Sequence, residues 1–150
     1  MKNGKKVVCI FLLFCCSLFM LTAQSTSRHF VLVHGAWHGA WCWYKVQTKL
    51  IRMGYQASII DLPGHGLRFE DPLYIGLEDY RDAVTDLLDT CCEPVILVGH
   101  SMGGVVISMA AEARPEKIET LVYIAAFMLS DGQSLLDIAI TDTASLVLPN

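Results

Sequence analysis

No repeat, no low-complexity tract and no glycine-rich phosphate cradle interrupts the chain, which excludes solenoid arrays and the nucleotide-binding loops built on such turns. Basic residues are scarce as well. Eleven Lys and Arg stand against 15 Asp and Glu, for a net charge of −4 over 150 residues. Because Lys2, Lys5 and Lys6 open the chain, the remainder carries roughly −7. That balance argues against nucleic acid or an anionic membrane surface as a partner. The six cysteines do not form a framework either: Cys9, Cys15 and Cys16 fall in an N-terminal apolar stretch, which leaves Cys42, Cys91 and Cys92. Three is odd, and two neighbours cannot easily bridge each other, so neither a disulfide scaffold nor a zinc site is expected. Cys42, between two tryptophans, reads as a packed core residue, and no metal or cofactor is called for.

At the N-terminus, the three lysines precede an apolar run from Val7 to Leu21 that is too short for an ordinary membrane span. Residues 1–25 therefore read as a signal peptide, cleaved after Ala23 or Ser25, with no stable membrane span thereafter. The expected location is secreted or periplasmic.

Beyond this leader, short apolar runs alternate with helical patterns. Strands are expected at His29 to Val33, Gln56 to Asp61, from Pro94 through Val98, and at Glu119 to Phe127. Helices are expected at Trp43 to Met53, Leu77 to Cys91 and Met102 to Arg114, the last stopped by Pro115. In the second helix Tyr80, Val84, Leu87, Leu88 and Cys91 share one face. This order predicts an α/β fold, a mostly parallel sheet with helices on both faces. Ligands of such sheets bind beyond the carboxyl ends of the strands, where the winding reverses.

Two turns carry the chemistry. The third strand runs into Gly99-His100-Ser101-Met102-Gly103-Gly104, and G-x-S-x-G marks a sharp strand-to-helix turn that lifts a serine hydroxyl toward a substrate carbonyl. The first strand runs into His34-Gly35-Ala36-Trp37, a turn suited to an oxyanion hole. Ser101 is thus the candidate nucleophile, and the amides of Ala36 and Met102 are the candidate oxyanion donors. Gly35, Trp37 and His100 are candidate substrate-facing residues, and His34 is expected to orient the oxyanion turn. If the first and third strands are neighbours, these two turns meet. His65 reads as a turn residue at the pocket rim, and Phe127 and Met128 as apolar lining.

The segment HFVLVHGAWHGAWCWYK (29 to 45), together with GHSMGG, resembles the α/β-hydrolase superfamily, and most closely its branch of plant methylesterases, salicylate-ester hydrolases and hydroxynitrile lyases. The resemblance spans roughly Arg28 to Leu129 and implies a partial α/β-hydrolase fold. It also implies a serine nucleophile at Ser101 and an oxyanion hole at Ala36 and Met102. The lyases of the branch carry a threonine where Gly35 stands, so the resemblance favours a small ester as substrate. Asp61-Leu62-Pro63-Gly64-His65-Gly66 instead resembles the loop of bacterial-type α/β hydrolases.

A serine nucleophile needs a histidine, itself oriented by a carboxylate, and in α/β hydrolases both follow the serine in the chain. Every histidine here lies at position 100 or earlier. Of the acids that follow, Asp131 is the one plausibly placed, although Ser130-Asp131-Gly132-Gln133 reads better as a turn. Residues 130–150 are expected to begin a cap region and the chain to be a truncated member, with little activity and marginal stability by itself. Two functions fit: a serine carboxylesterase acting through Ser101, or a non-catalytic secreted remnant or binding domain that keeps the fold.

Overall fold

The computed structural model describes residues 27–141; the expected signal peptide and residues 142–150 lie outside them. Four strands form one sheet: β1 His29–Val33, β2 Gln56–Ile60, β3 Val95–His100 and β4 Ile118–Ile124. Helices α1 Tyr44–Arg52, α2 Leu77–Asp89, α3 Gly103–Ala113 and the short α4 Leu135–Ala139 alternate with them. All pairings are parallel, in the order β2-β1-β3-β4. The chain thus winds outward from β1 to β2, then returns to the other side of β1 with β3. That reversal puts the carboxyl ends of β1 and β3 side by side, the position at which such sheets bind ligands.

Alternate residues of the two central strands feed two cores. Val31, Val33, Val95 and Leu97 face α2 and α3, where they meet Leu62, Val84, Leu88, Val106, Ile107 and Ala110. Leu32, Ile96 and Val98 face the other side and pack with Trp43, flanked by Cys42 and Leu50. Strands apolar on both faces are what two helical layers demand, and each fully buried Val or Leu contributes about 2 kcal/mol. The expected α/β sheet with helices on both faces is the observed one.

Differences from the expected elements have local causes. A 3-10 turn, Ala40–Trp43, precedes α1. The fourth strand, expected over Glu119 to Phe127, covers Ile118–Ile124 instead, because Ala125 turns the chain aside at φ 41°. It forms one edge of the sheet among the described residues, and its apolar side chains are only half-buried. Within 130–141 the chain makes a turn and then α4, which Ser134 caps by accepting Asp137 N–H at 3.1 Å. No helix among the described residues is long and apolar enough to cross a membrane.

Candidate active site

Ser101 sits between β3 and α3 with φ 53°, a left-handed conformation that a side-chain-bearing residue adopts only at a cost of about 1–2 kcal/mol. Neighbouring glycines make that turn sterically feasible. A Cβ on Gly99 would stand 2.6 Å from the Gly103 carbonyl oxygen, and one on Gly103 would stand 2.7 Å from the carbonyl oxygen of His34. The start of α3 is therefore pressed against both β3 and the end of β1. Main-chain bonds complete the cradle: Ser101 N–H donates to Ile124 O at 3.4 Å, while Ser101 O accepts from Gly104 N–H at 3.0 Å and from Phe127 N–H at 3.1 Å.

The loop after β1 lies directly opposite. A Cβ on Gly35 would stand 2.8 Å from Ser101 Cβ and 3.2 Å from His100 Nδ1, so the two turns are in contact, as neighbouring strands require. Trp37 also takes a positive φ, 58°, which bends the loop away from the strand direction. The backbone N–H groups of Ala36 and Met102 donate to no acceptor among the described residues. Met102 caps the start of α3, where unpaired amides and the helix dipole favour negative charge.

Imidazoles crowd this end of the sheet, each with a separate task. His34, fully buried, donates through Nδ1 to Gly35 O at 2.7 Å and accepts Leu62 N–H on Nε2 at 3.1 Å. With one nitrogen accepting, the ring is neutral. Burial lowers its pKa from the usual 6.5, and the Gly35 carbonyl pulls weakly the other way. His38 bonds Ala36 O at 2.8 Å, stacks on Trp41 and meets His100 edge-on. His65, half-buried, bonds Pro63 O and packs against His34 and Tyr80. No imidazole among the described residues hydrogen-bonds the Ser101 hydroxyl.

Of the sequence candidates, Ser101, Met102, His100, Gly35 and Ala36 converge at this mouth. Trp37 follows in the same loop with 79% of its surface exposed, so its ring stands at the rim with little packed against it. Met128 is exposed as well, and Asp131 lies in an exposed turn. Beside Met102 a cavity of about 560 Å³ opens between α3 and residues 129–135. A larger one, about 650 Å³, lies at the opposite end of the sheet among Arg28, Gln56, Cys92 and Glu119. The chemistry gathers at the Ser101 end: the non-glycine residues of positive φ among those described, Trp37, Ser101 and Ala125, all lie there, together with the unpaired amides of Ala36 and Met102. Among the described residues no group of three or more His, Cys, Asp or Glu is arranged to hold a metal ion.

One residue escaped the sequence reading. Asp61, just after β2, accepts Ala40 N–H at 2.6 Å and Leu67 N–H at 3.1 Å, joining two loops 21 and 6 residues away. Its position in Asp-Leu-Pro-Gly-His-Gly was the only hint.

A parallel sheet whose reversal point carries a strained strand-to-helix serine turn, faced by a glycine loop, defines an α/β-hydrolase core. The chain belongs to the alpha/beta hydrolase family, whose pattern matches residues 30–149. It is 43% identical over 109 residues to methyl jasmonate esterase 1 of Vitis vinifera, a match covering 70% of this chain and 41% of that protein. Among solved structures, tomato methylketone synthase I aligns with a TM-score of 0.69 at 35% identity, covering 77% of this chain and 46% of that one. An extracellular alpha/beta-hydrolase from a Paenibacillus species aligns at 0.68 and 32% identity, covering 73% and 45%. The chain spans between 26% and 43% of the length of the curated methylesterases it matches.

Proposed function

We propose that this chain carries the nucleophile half of a serine carboxylesterase acting on a small ester. The observation that supports this best is the contact between the Ser101 turn and the Gly35 loop, across which Ala36 and Met102 keep unpaired amides. In this reading Ser101 Oγ attacks the ester carbonyl carbon and the carbonyl electron pair moves onto oxygen. The two amides receive that oxyanion, each worth about 3 kcal/mol of barrier. The Ser101 hydroxyl proton passes to solvent, collapse expels the alkoxide, which takes a proton from solvent and leaves as the alcohol, and water then hydrolyses the acyl-serine to the acid and free serine. Gly35 leaves the approach to the carbonyl open, while Trp37 and His100 border the substrate. Similarity to methylesterases favours an ester over other carbonyl substrates.

A second reading is favoured by one observation: no imidazole among the described residues hydrogen-bonds the Ser101 hydroxyl. A domain keeping fold and pocket without proton transfer would bind rather than turn over. A fluorophosphonate probe followed by intact mass separates the two. The esterase reading expects one adduct, lost in Ser101→Ala, and hydrolysis of p-nitrophenyl acetate above that variant; absence of both supports the binding domain. The leader-like N-terminus supports export, which N-terminal sequencing of material from the culture medium would test, with an intact Met1 counting against it.

A further inference from the structure

The loop that carries Ala36 is gripped from the neighbouring strand at both of its ends. At the far end, the Asp61 carboxylate accepts Ala40 N–H through Oδ1 at 2.6 Å and Leu67 N–H through Oδ2 at 3.1 Å. Space for this is made by missing side chains: a Cβ on Gly39 would stand 2.8 Å from Oδ1, and one on Gly66 would overlap the carboxylate outright. At the near end, Leu62 N–H donates to His34 Nε2, and His34 Nδ1 donates in turn to Gly35 O. Residues 61 and 62 therefore fix both sides of the turn whose middle is Ala36. Two backbone N–H donors on one carboxylate form charge-assisted bonds, about twice as strong as neutral ones. An asparagine offers one acceptor oxygen, so it satisfies one donor and turns an NH₂ toward the other.

We propose that Asp61 is a positioning residue for the oxyanion loop, holding the turn that presents Ala36 N–H opposite Ser101, an assignment that rests on the acyl-transfer reading of that site. It touches no reacting atom. Its effect travels through Ala40 and through the shape of residues 36–40.

The test uses the purified 150-residue chain and compares amide exchange, followed by ¹H–¹⁵N NMR, in the parent, Asp61→Asn and Asp61→Ala. Exchange at Ala40 and Leu67 should quicken about tenfold or more in the alanine variant, less in the asparagine variant, while β3 and α3 stay within about twofold; unchanged exchange at both amides would overturn the proposal. A uniform increase across the sheet would mean that Asp61 only stabilises the fold, which also overturns the proposal. A second arm reads fluorophosphonate labelling of Ser101, which should slow in the same rank order, by about tenfold in Asp61→Ala, short of the ~10²-fold that a 1 Å misplacement can cost. Failure of the parent chain to label counts against the esterase reading alone, since the exchange arm still decides the role of Asp61.

Discussion

The two ends of the sheet are built by the same four strands and differ in what the backbone is made to do there. At the carboxyl end, the three non-glycine residues with positive φ among those described, Trp37, Ser101 and Ala125, follow β1, β3 and β4 in turn. Glycines there are demanded by space: main-chain atoms of one loop occupy the place where another loop's Cβ would be. At the amino end, the glycine before β2, Gly54, has φ 88° and nothing within 4 Å of its missing Cβ. The adjacent cavity is lined by solvated polar groups such as Arg28 and Glu119, paired at 3.8 Å across exposed surface. Strain costs stability, so it persists only where the surroundings over-determine it, and here those surroundings are the packed loops around Ser101.

The largest effect expected from this contrast is at Gly104. An alanine there would drive its methyl into the main-chain oxygen of Phe127, which cannot swing aside, and should cost about 3 kcal/mol in denaturant unfolding. Gly54→Ala meets no atom and should cost only the left-handed conformation, about 1 kcal/mol. Equal losses would erase the distinction between the two ends.

Acid should act next, and again at the carboxyl end. Burial holds the His34 imidazole below its usual 6.5, so between that value and the lower folded one the unfolded chain binds the proton more readily. Stability contributed by the neutral ring is thus complete above about pH 6.5 and is lost as pH falls through the folded value. Unfolding midpoints measured from pH 7.5 down to 5 should decline, and less steeply in His34→Asn. A parallel decline in both would place the titration elsewhere, with His29, whose pKa burial also lowers, as the next group to vary.

How much of this could be read from residues alone depended on the range of the interactions. The strands β1 and β3 were legible because apolar runs such as Val95 to Val98 ended at glycine or a polar turn. The serine turn was legible because its sequence pattern falls within five residues, although part of its steric demand comes from the His34 carbonyl beside Gly103. That it meets the Gly35 loop followed only once β1 and β3 were neighbours, a property of the sheet order. The early end of β4 was hidden, since Ala125 carries no signal for φ 41°; two residues on, Phe127 N–H reaches back to Ser101 O, a contact between distant parts of the chain. The helix Leu135–Ala139 did leave a sign, the Ser134-to-Asp137 capping pair, which an alternation-based reading passes over. Asp61 could not be found locally, because one of its partners lies 21 residues away.

Smaller effects sharpen the comparison further. Ser101→Gly removes the conformational cost of φ 53° and should stabilise the chain by about 1 kcal/mol while abolishing phosphonate labelling. A destabilised Ser101→Gly would mean that the side chain supports the turn instead of straining it. At the other end, Glu119→Gln breaks an exposed pair at 3.8 Å and should leave the unfolding midpoint unchanged within error.

Whether the carboxyl end receives an oxyanion decides between a working mouth and a merely crowded one, and phenylboronic acid reports on that directly. Its boron accepts an electron pair from the Ser101 oxygen, the hydroxyl proton leaves to solvent, and the resulting tetrahedral boronate anion sets an electron-rich B–O oxygen at the mouth, in the place an oxyanion would take. Followed by ¹H–¹⁵N NMR, the Ala36 and Met102 amides should show the largest shifts, with Arg28, Cys92 and Glu119 unmoved and every shift lost in Ser101→Ala. Shifts centred on the amino-end cavity, or shifts that survive the loss of the hydroxyl, would contradict it.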